Sequence, residues 1–147
     1  MNRHVLVPLL VFFCLAGQLR AQDPTIDNVP PVVVKTTPEA GTAEVDAATT
    51  EIRVRFNKKM MPGSWSVVKV NDKSFPKING KPRFEADGKT FVLPVQLQAK
   101  HTYALWINPK GFTNFKDAGG RSAVPLPAGF PGEMKFVPGG PPTWQFP

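Results

Sequence analysis

His101 is the residue to weigh first for chemistry, because imidazole is the side chain most often used as a general base. A hydrolytic triad built on it needs a placed Ser or Thr and a carboxylate. No nucleophile motif accompanies His101; it follows Lys100 in a turn that leads into a strand-like run. The nine carboxylates between Glu39 and Glu133 are scattered and fall mostly in turn sequences, where Asp serves local hydrogen bonding. Cys14 is the single cysteine, so no cluster of Cys and His can hold a metal. Asp117 with neighbouring carbonyls is the nearest approach to a calcium loop, but it lacks a second close carboxylate. Gly119-Gly120 leads into no helix, which excludes a phosphate-cradling loop. The expectation is a chain with no catalytic residues, no metal and no cofactor.

Aromatic and cationic side chains are better candidates for contact. Trp106 is expected to face outward beside Arg53 and Arg55, and a flat indole flanked by guanidinium groups suits sugars or anionic polymers. The alternative is that Trp106 is covered by the C-terminal segment or packs on Arg stems. Trp144, with Phe136 and Phe146, lies in a Pro/Gly-rich stretch; these rings either dock on the domain or form an exposed contact surface.

The ends of the chain carry their own signals. Arg3 precedes an apolar run from Val5 to Ala16, and Ala16, Gly17 and Ala21 are small residues at its end. That order matches an export signal, and a run of about 12 residues is too short to span a bilayer. Cleavage is expected after Ala21, with Leu19 and Ala21 at the positions the peptidase reads. Lipidation of Cys14 would require small residues before it, and Phe12 and Phe13 stand there instead. The formal charge of the whole chain is +7; without residues 1–21, which include Arg3 and Arg20, it is +5. That excess can favour anionic surfaces, but no dense basic run or aromatic–basic motif points to nucleic acid.

Between the ends, 17 prolines and 12 glycines in 147 residues argue for short strands joined by turns. Thr50–Phe56 is the clearest: Ile52, Val54 and Phe56 alternate with Glu51, Arg53 and Arg55, so one face is buried and one is wet. Trp65–Val70 is another strand, with Trp65 at the core edge. Lys81–Val95 reads as a hairpin around Asp87-Gly88, with Pro82 and Pro94 at strand ends or edges. Its phase is open: either Val92, or Phe91 with Leu93, turns inward. Thr102–Pro109 alternates again, placing Tyr103, Leu105 and Ile107 inside. The last strand is expected within Ser122–Phe130, interrupted by Pro125 and Pro127. From Pro125 to Pro147, 11 of 23 residues are Pro or Gly, which fits an extended tail and excludes a central strand. About seven short strands punctuated by turns predict an all-β, immunoglobulin-like Greek-key sandwich.

Four stretches in order carry a family resemblance: PVVVKTTPEAGTAEV (Pro31–Val45), IRVRFNKKM (Ile52–Met60), LQAKHTYALWI (Leu97–Ile107) and DAGG (Asp117–Gly120). Together they make Pro31 to about Phe130 resemble the bacterial Ig-like domains of the S-layer protein (SbsA) type. The resemblance implies the sandwich fold and a structural or adhesion-associated role, and it names no ligand. Tyr103, opening a strand after a turn, is placed to tie down a corner through its hydroxyl. Met60, after a strand end, can fill an irregular gap in the core.

The domain plan expected is a signal peptide at 1–21, a linker at 22–30, the Ig-like sandwich at 31–130 and a Pro/Gly-rich tail at 131–147. The function expected is a non-catalytic, exported structural or adhesion-type module of the cell envelope. The alternative is a binding module for a polysaccharide or an envelope protein through Trp106, Arg53, Arg55 and Trp144, with no nucleic acid partner and no stable membrane span after signal cleavage.

Overall fold

A computed structural model describes residues 23–42 and 44–125, and the strand backbone of 133–136. The signal segment, Trp144 and the rest of the C-terminal stretch lie outside the described residues. Among the described residues there are eight strands: β1 (Val33–Thr37), β2 (Glu51–Phe56), β3 (Val67–Lys69), β4 (Lys77–Ile78), β5 (Arg83–Phe84), β6 (Thr90–Gln96), β7 (Tyr103–Ile107) and β8 (Glu133–Phe136). One sheet has the order β1-β2-β6-β4 with β5 also on β6; the other has the order β3-β7-β8. Every strand pair is antiparallel. The chain crosses from the first sheet to the second for β3, returns for β4 to β6, and crosses again for β7. This is the expected sandwich, and among the described residues no helix occurs.

The core lies between the sheets and follows the period-two pattern. Ile52, Val54 and Phe56 are at most 1% exposed, and so are Leu105 and Ile107. Met60 and Tyr103 join the same cluster, as their positions in the sequence predict. The centre is aromatic: the Phe91 ring lies 5.0 Å from that of Phe115, 5.4 Å from Phe84 and 5.6 Å from Trp65. Trp65 stays partly exposed at the core edge. At the corner before β7, the Gln98 amide donates to the Tyr103 hydroxyl at 2.8 Å.

The phase of β6 is settled by its partners. Phe91, Leu93 and Val95 point into the core cluster. Val92 is equally buried, but on the outer face, in register with Arg53 of β2 on one side and Arg83 of β5 on the other. Long Arg stems cover it there.

Two expectations on prolines are corrected. Pro94 sits inside β6, not at its end, with β5 pairing the residues before it and β4 those after it. Its carbonyl accepts the Asn79 amide at 3.0 Å, so the position that lacks an N–H faces the gap between β5 and β4, where no strand requires it. Gly80 fills that gap; a Cβ there would stand 3.1 Å from the Pro94 ring. The expected last strand, Ser122–Phe130, lies outside the described residues from 126 on, and its described part does not form one. Of Ser122–Pro125, only Ser122 makes a β-bridge, to Lys116. The edge strand β8 forms further on, inside the stretch expected as tail. Pro125, Pro127 and Pro131 remove donors before it, whereas Gly132–Val137 is free of proline and can complete a ladder with β7.

Candidate functional site

The outer face of the first sheet carries a lattice of charges. Arg53 contacts Glu51 at 3.2 Å and Glu85 at 2.8 Å, Arg55 contacts Asp87 at 3.0 Å, and Arg83 contacts Glu51 at 2.8 Å. β2 supplies Glu51, Arg53 and Arg55, and the β5–β6 hairpin supplies the remaining members, so the lattice zips the hairpin onto β2. Arg83, ahead of the Arg53 contact, holds the Glu51 carboxyl below its ordinary value against a smaller push from burial. The Lys89 amide, with Thr90 and Arg55 adding to it and burial opposing, holds Asp87 down at about 2. The charges of Arg53 and Arg55 are thus met within the fold.

Trp106 is not beside them. It is half-buried on β7, opposite Val68 in the second sheet. β2 and β7 both turn their apolar residues to the shared core, so their outward residues face opposite sides of the sandwich. The expected grouping of Trp106 with Arg53 and Arg55 is therefore corrected: alternation tells which residues point outward but not which sheet a strand joins. Trp144 lies outside the described residues. His101 brings its Nε2 to 2.7 Å from the Lys73 carbonyl and packs against the Tyr103 ring at 4.7 Å. A carbonyl only accepts, so Nε2 carries the proton and is engaged in holding the loop. Among the described residues, no three His, Cys, Asp or Glu side chains converge to hold a metal ion.

The tightest polar constellation centres on Asp117, which the sequence offered only as a turn residue and an incomplete calcium loop. Asp117 is 2% exposed. Its Oδ1 accepts the amides of Gly119 at 3.0 Å and Arg121 at 2.9 Å; its Oδ2 accepts Lys58 Nζ at 3.0 Å and Arg121 Nε at 2.9 Å. Lys58 Nζ also donates to the Val29 carbonyl, and the Arg121 guanidinium to that of Asp27. One carboxylate thereby ties the N-terminal segment, the stretch after β2 and the 117–121 loop together. Burial pushes the Asp117 carboxyl up, but Lys58 and Arg121 outweigh it and bring it from 3.8 down to about 2. Asn108 is a second pin that sequence reasoning missed: buried, with φ of +54°, it donates to the Ala123 carbonyl at 2.7 Å and accepts the Phe115 amide at 2.9 Å. The only hint of it in the sequence is an Asn before Pro109 at a strand end.

The depressed carboxylates fix the acid limb of stability. Asp87 and Asp117 bind protons at about 2 when folded, against 3.8 ordinarily. The stability they supply is complete above about pH 4 and is lost as pH falls toward 2, because the unfolded chain binds the protons first. Urea midpoints are expected to hold level from neutral pH to about 4 and then drop. A profile flat down to pH 2 would contradict these contacts.

Beside this knot lies an open cleft of about 400 Å³, lined by Ile26, Asp27, the Asn57–Lys59 stretch, Lys89, Gly119 and Arg121, among others. No helix among the described residues is long and apolar enough to cross a membrane. Compared with families of known proteins, residues 27–131 match the model for the bacterial Ig-like domain. No curated protein and no solved structure matches the chain.

Proposed function

Because the chain belongs to the bacterial Ig-like domain family, we propose that it is a non-catalytic structural or adhesion-type module of the cell envelope. It is exported by cleavage after Ala21, and the four motifs quoted above favour the S-layer type within the family. Domains of this family are typically found in exported or surface proteins. The observation that carries the reading is the closure of the Asp117 knot. The most buried carboxylate near a cleft accepts four hydrogen bonds from the protein itself, which suits a fastener and makes Asp117 a poor catalytic base.

The test is to express the full chain in a bacterial host and follow it by cell fractionation and intact mass. The expected product is a chain beginning at Gln22, in the exported or envelope fraction. An unprocessed chain retained in the cytosol would overturn the reading.

A second reading keeps a ligand-binding role for an envelope protein or polysaccharide. It is favoured by Trp106, which faces outward while remaining only half-buried. On this reading Trp106 stacks a sugar on its own sheet face, apart from Arg53 and Arg55. Loss of binding by Trp106→Ala across a panel of envelope polysaccharides would put this reading first; unchanged binding, or none, would remove it.

A further inference from the structure

We infer that the cleft beside the Asp117 knot is a binding site for an oxyanion group, phosphate or carboxylate, carried along an anionic polymer of sugar or polyol units. Strand pairing brings two lysines together. The chain leaving β2 runs alongside the β5–β6 turn: the Phe56 amide donates to the Lys89 carbonyl at 2.9 Å, and the Met60 amide to the Gly88 carbonyl at 2.8 Å. Gly88 has φ of +64° and no side chain, and the stem of Lys59 lies over it, 3.5 Å from where a Cβ would be. Lys59 and Lys89 therefore line one concavity. Neither forms an ion pair with a described residue, although Lys58, Lys69, Arg53, Arg55, Arg83 and Arg121 all do.

The charge count of the cleft is positive. Lys58, Lys59, Lys89 and Arg121 face only Asp27 and Asp117, and Asp117 is already committed to Lys58 and Arg121. Bringing like charges into one concavity is unfavourable until an anion joins them. Arg121 remains 41% exposed along its side chain, so donors beyond those it uses on Asp117 and Asp27 are open to a ligand. Asp117 holds the loop that presents it by accepting the Gly119 and Arg121 amides.

The shape points to a polymer. At about 400 Å³ the cleft is near the lower end of small-molecule sites, and it is too open to enclose its ligand as those sites do. A single ion would stay mostly hydrated there. A chain bearing repeated oxyanions gains from several weak, salt-screened contacts at once. Ile26, 54% exposed on the rim, adds an apolar surface for the sugar or backbone carbons between charges.

The experiment uses the purified chain and four probes: poly(glycerol phosphate), polygalacturonate, neutral dextran, and anionic phosphatidylglycerol vesicles. Lys59→Gln/Lys89→Gln is compared with Lys77→Gln/Lys100→Gln, which removes the same charge. Lys77 pairs with Gln96 at the far end of β6 from Lys89, about 20 Å away. Both anionic polymers are expected to bind, with affinity falling as salt rises, and dextran is not. The first double variant should weaken binding about tenfold and the second less than about twofold. Amide shifts in the unsubstituted chain should map to Lys59, Lys89 and Gly119, which keeps the test valid if a variant folds poorly. Equal losses in the two double variants, binding to vesicles alone, equal binding of dextran, or no binding to either polymer would each overturn the inference. Which polymer binds distinguishes phosphate from carboxylate. The choice of polymer rests on the envelope reading, but signal processing is measured separately, so either can fail alone.

Discussion

Asp117→Ala is expected to destabilise the domain by about 3–5 kcal/mol, the range for removing one partner of a buried ion pair. The size follows from what is left behind. Lys58 has a side chain only 12% exposed, so its ammonium keeps the penalty of desolvation and loses its counter-charge. The Gly119 and Arg121 amides lose their acceptor as well, each at a further cost if water cannot reach it. The loss propagates because the loop is also paired backbone to backbone, Met60 bridging Asp117 and the Met61 amide donating to the Lys116 carbonyl at 2.7 Å. Denaturant midpoints measure it directly. Asp117→Asn tests the charge more finely: it retains acceptor capacity, should be milder, and should shorten the acid limb. A loss below about 1 kcal/mol for Asp117→Ala would mean that the knot is incidental to the fold.

Phe91→Ala is expected to cost about 3–5 kcal/mol, as truncation of a fully buried aromatic does. Phe91 has no exposed surface, and its ring meets Trp65, Phe84 and Phe115. Those three come from separate parts of the chain, so the cavity would open at the point where the β5–β6 hairpin, the stretch before β3 and the 115 loop converge. Val92→Ala provides the contrast. Val92 is equally buried, yet it lies on the outer face between Arg53 and Arg83, whose flexible stems can settle into the space. Its loss should stay near 1 kcal/mol. Chemical unfolding of both variants decides the matter; similar losses would show that the Arg-covered face packs as tightly as the core.

Much of the fold was legible from local pattern. The alternation in Glu51–Phe56 and Tyr103–Ile107, the Asp87-Gly88 turn and the Tyr103 corner all appear where the residues placed them. The DAGG motif also marked the right loop, though not what it does. Asp in a turn sequence ordinarily means a solvated turn; that Asp117 is buried depends on Lys58, 59 residues away, and no local rule reports such a partner. The same limit applied to Arg53 and Arg55. Their outward direction was readable, but their partners Glu85 and Asp87 arrive only when β5 and β6 fold back onto β2.

By itself, then, the sequence determined the strand class, the facing of residues within a strand and the turns, because these depend on steric and solvation preferences repeating every one or two residues. Tertiary structure alone decided that Trp106 and Arg53 belong to different sheets, that β6 turns Phe91 and Leu93 inward, and that Glu133–Phe136 pairs with β7. It also decided that Lys59 and Lys89 share a cleft. Each of these is an outcome of pairing between segments tens of residues apart, where the competing arrangements satisfy local preference equally well and only the shared core and the long-range ladder separate them.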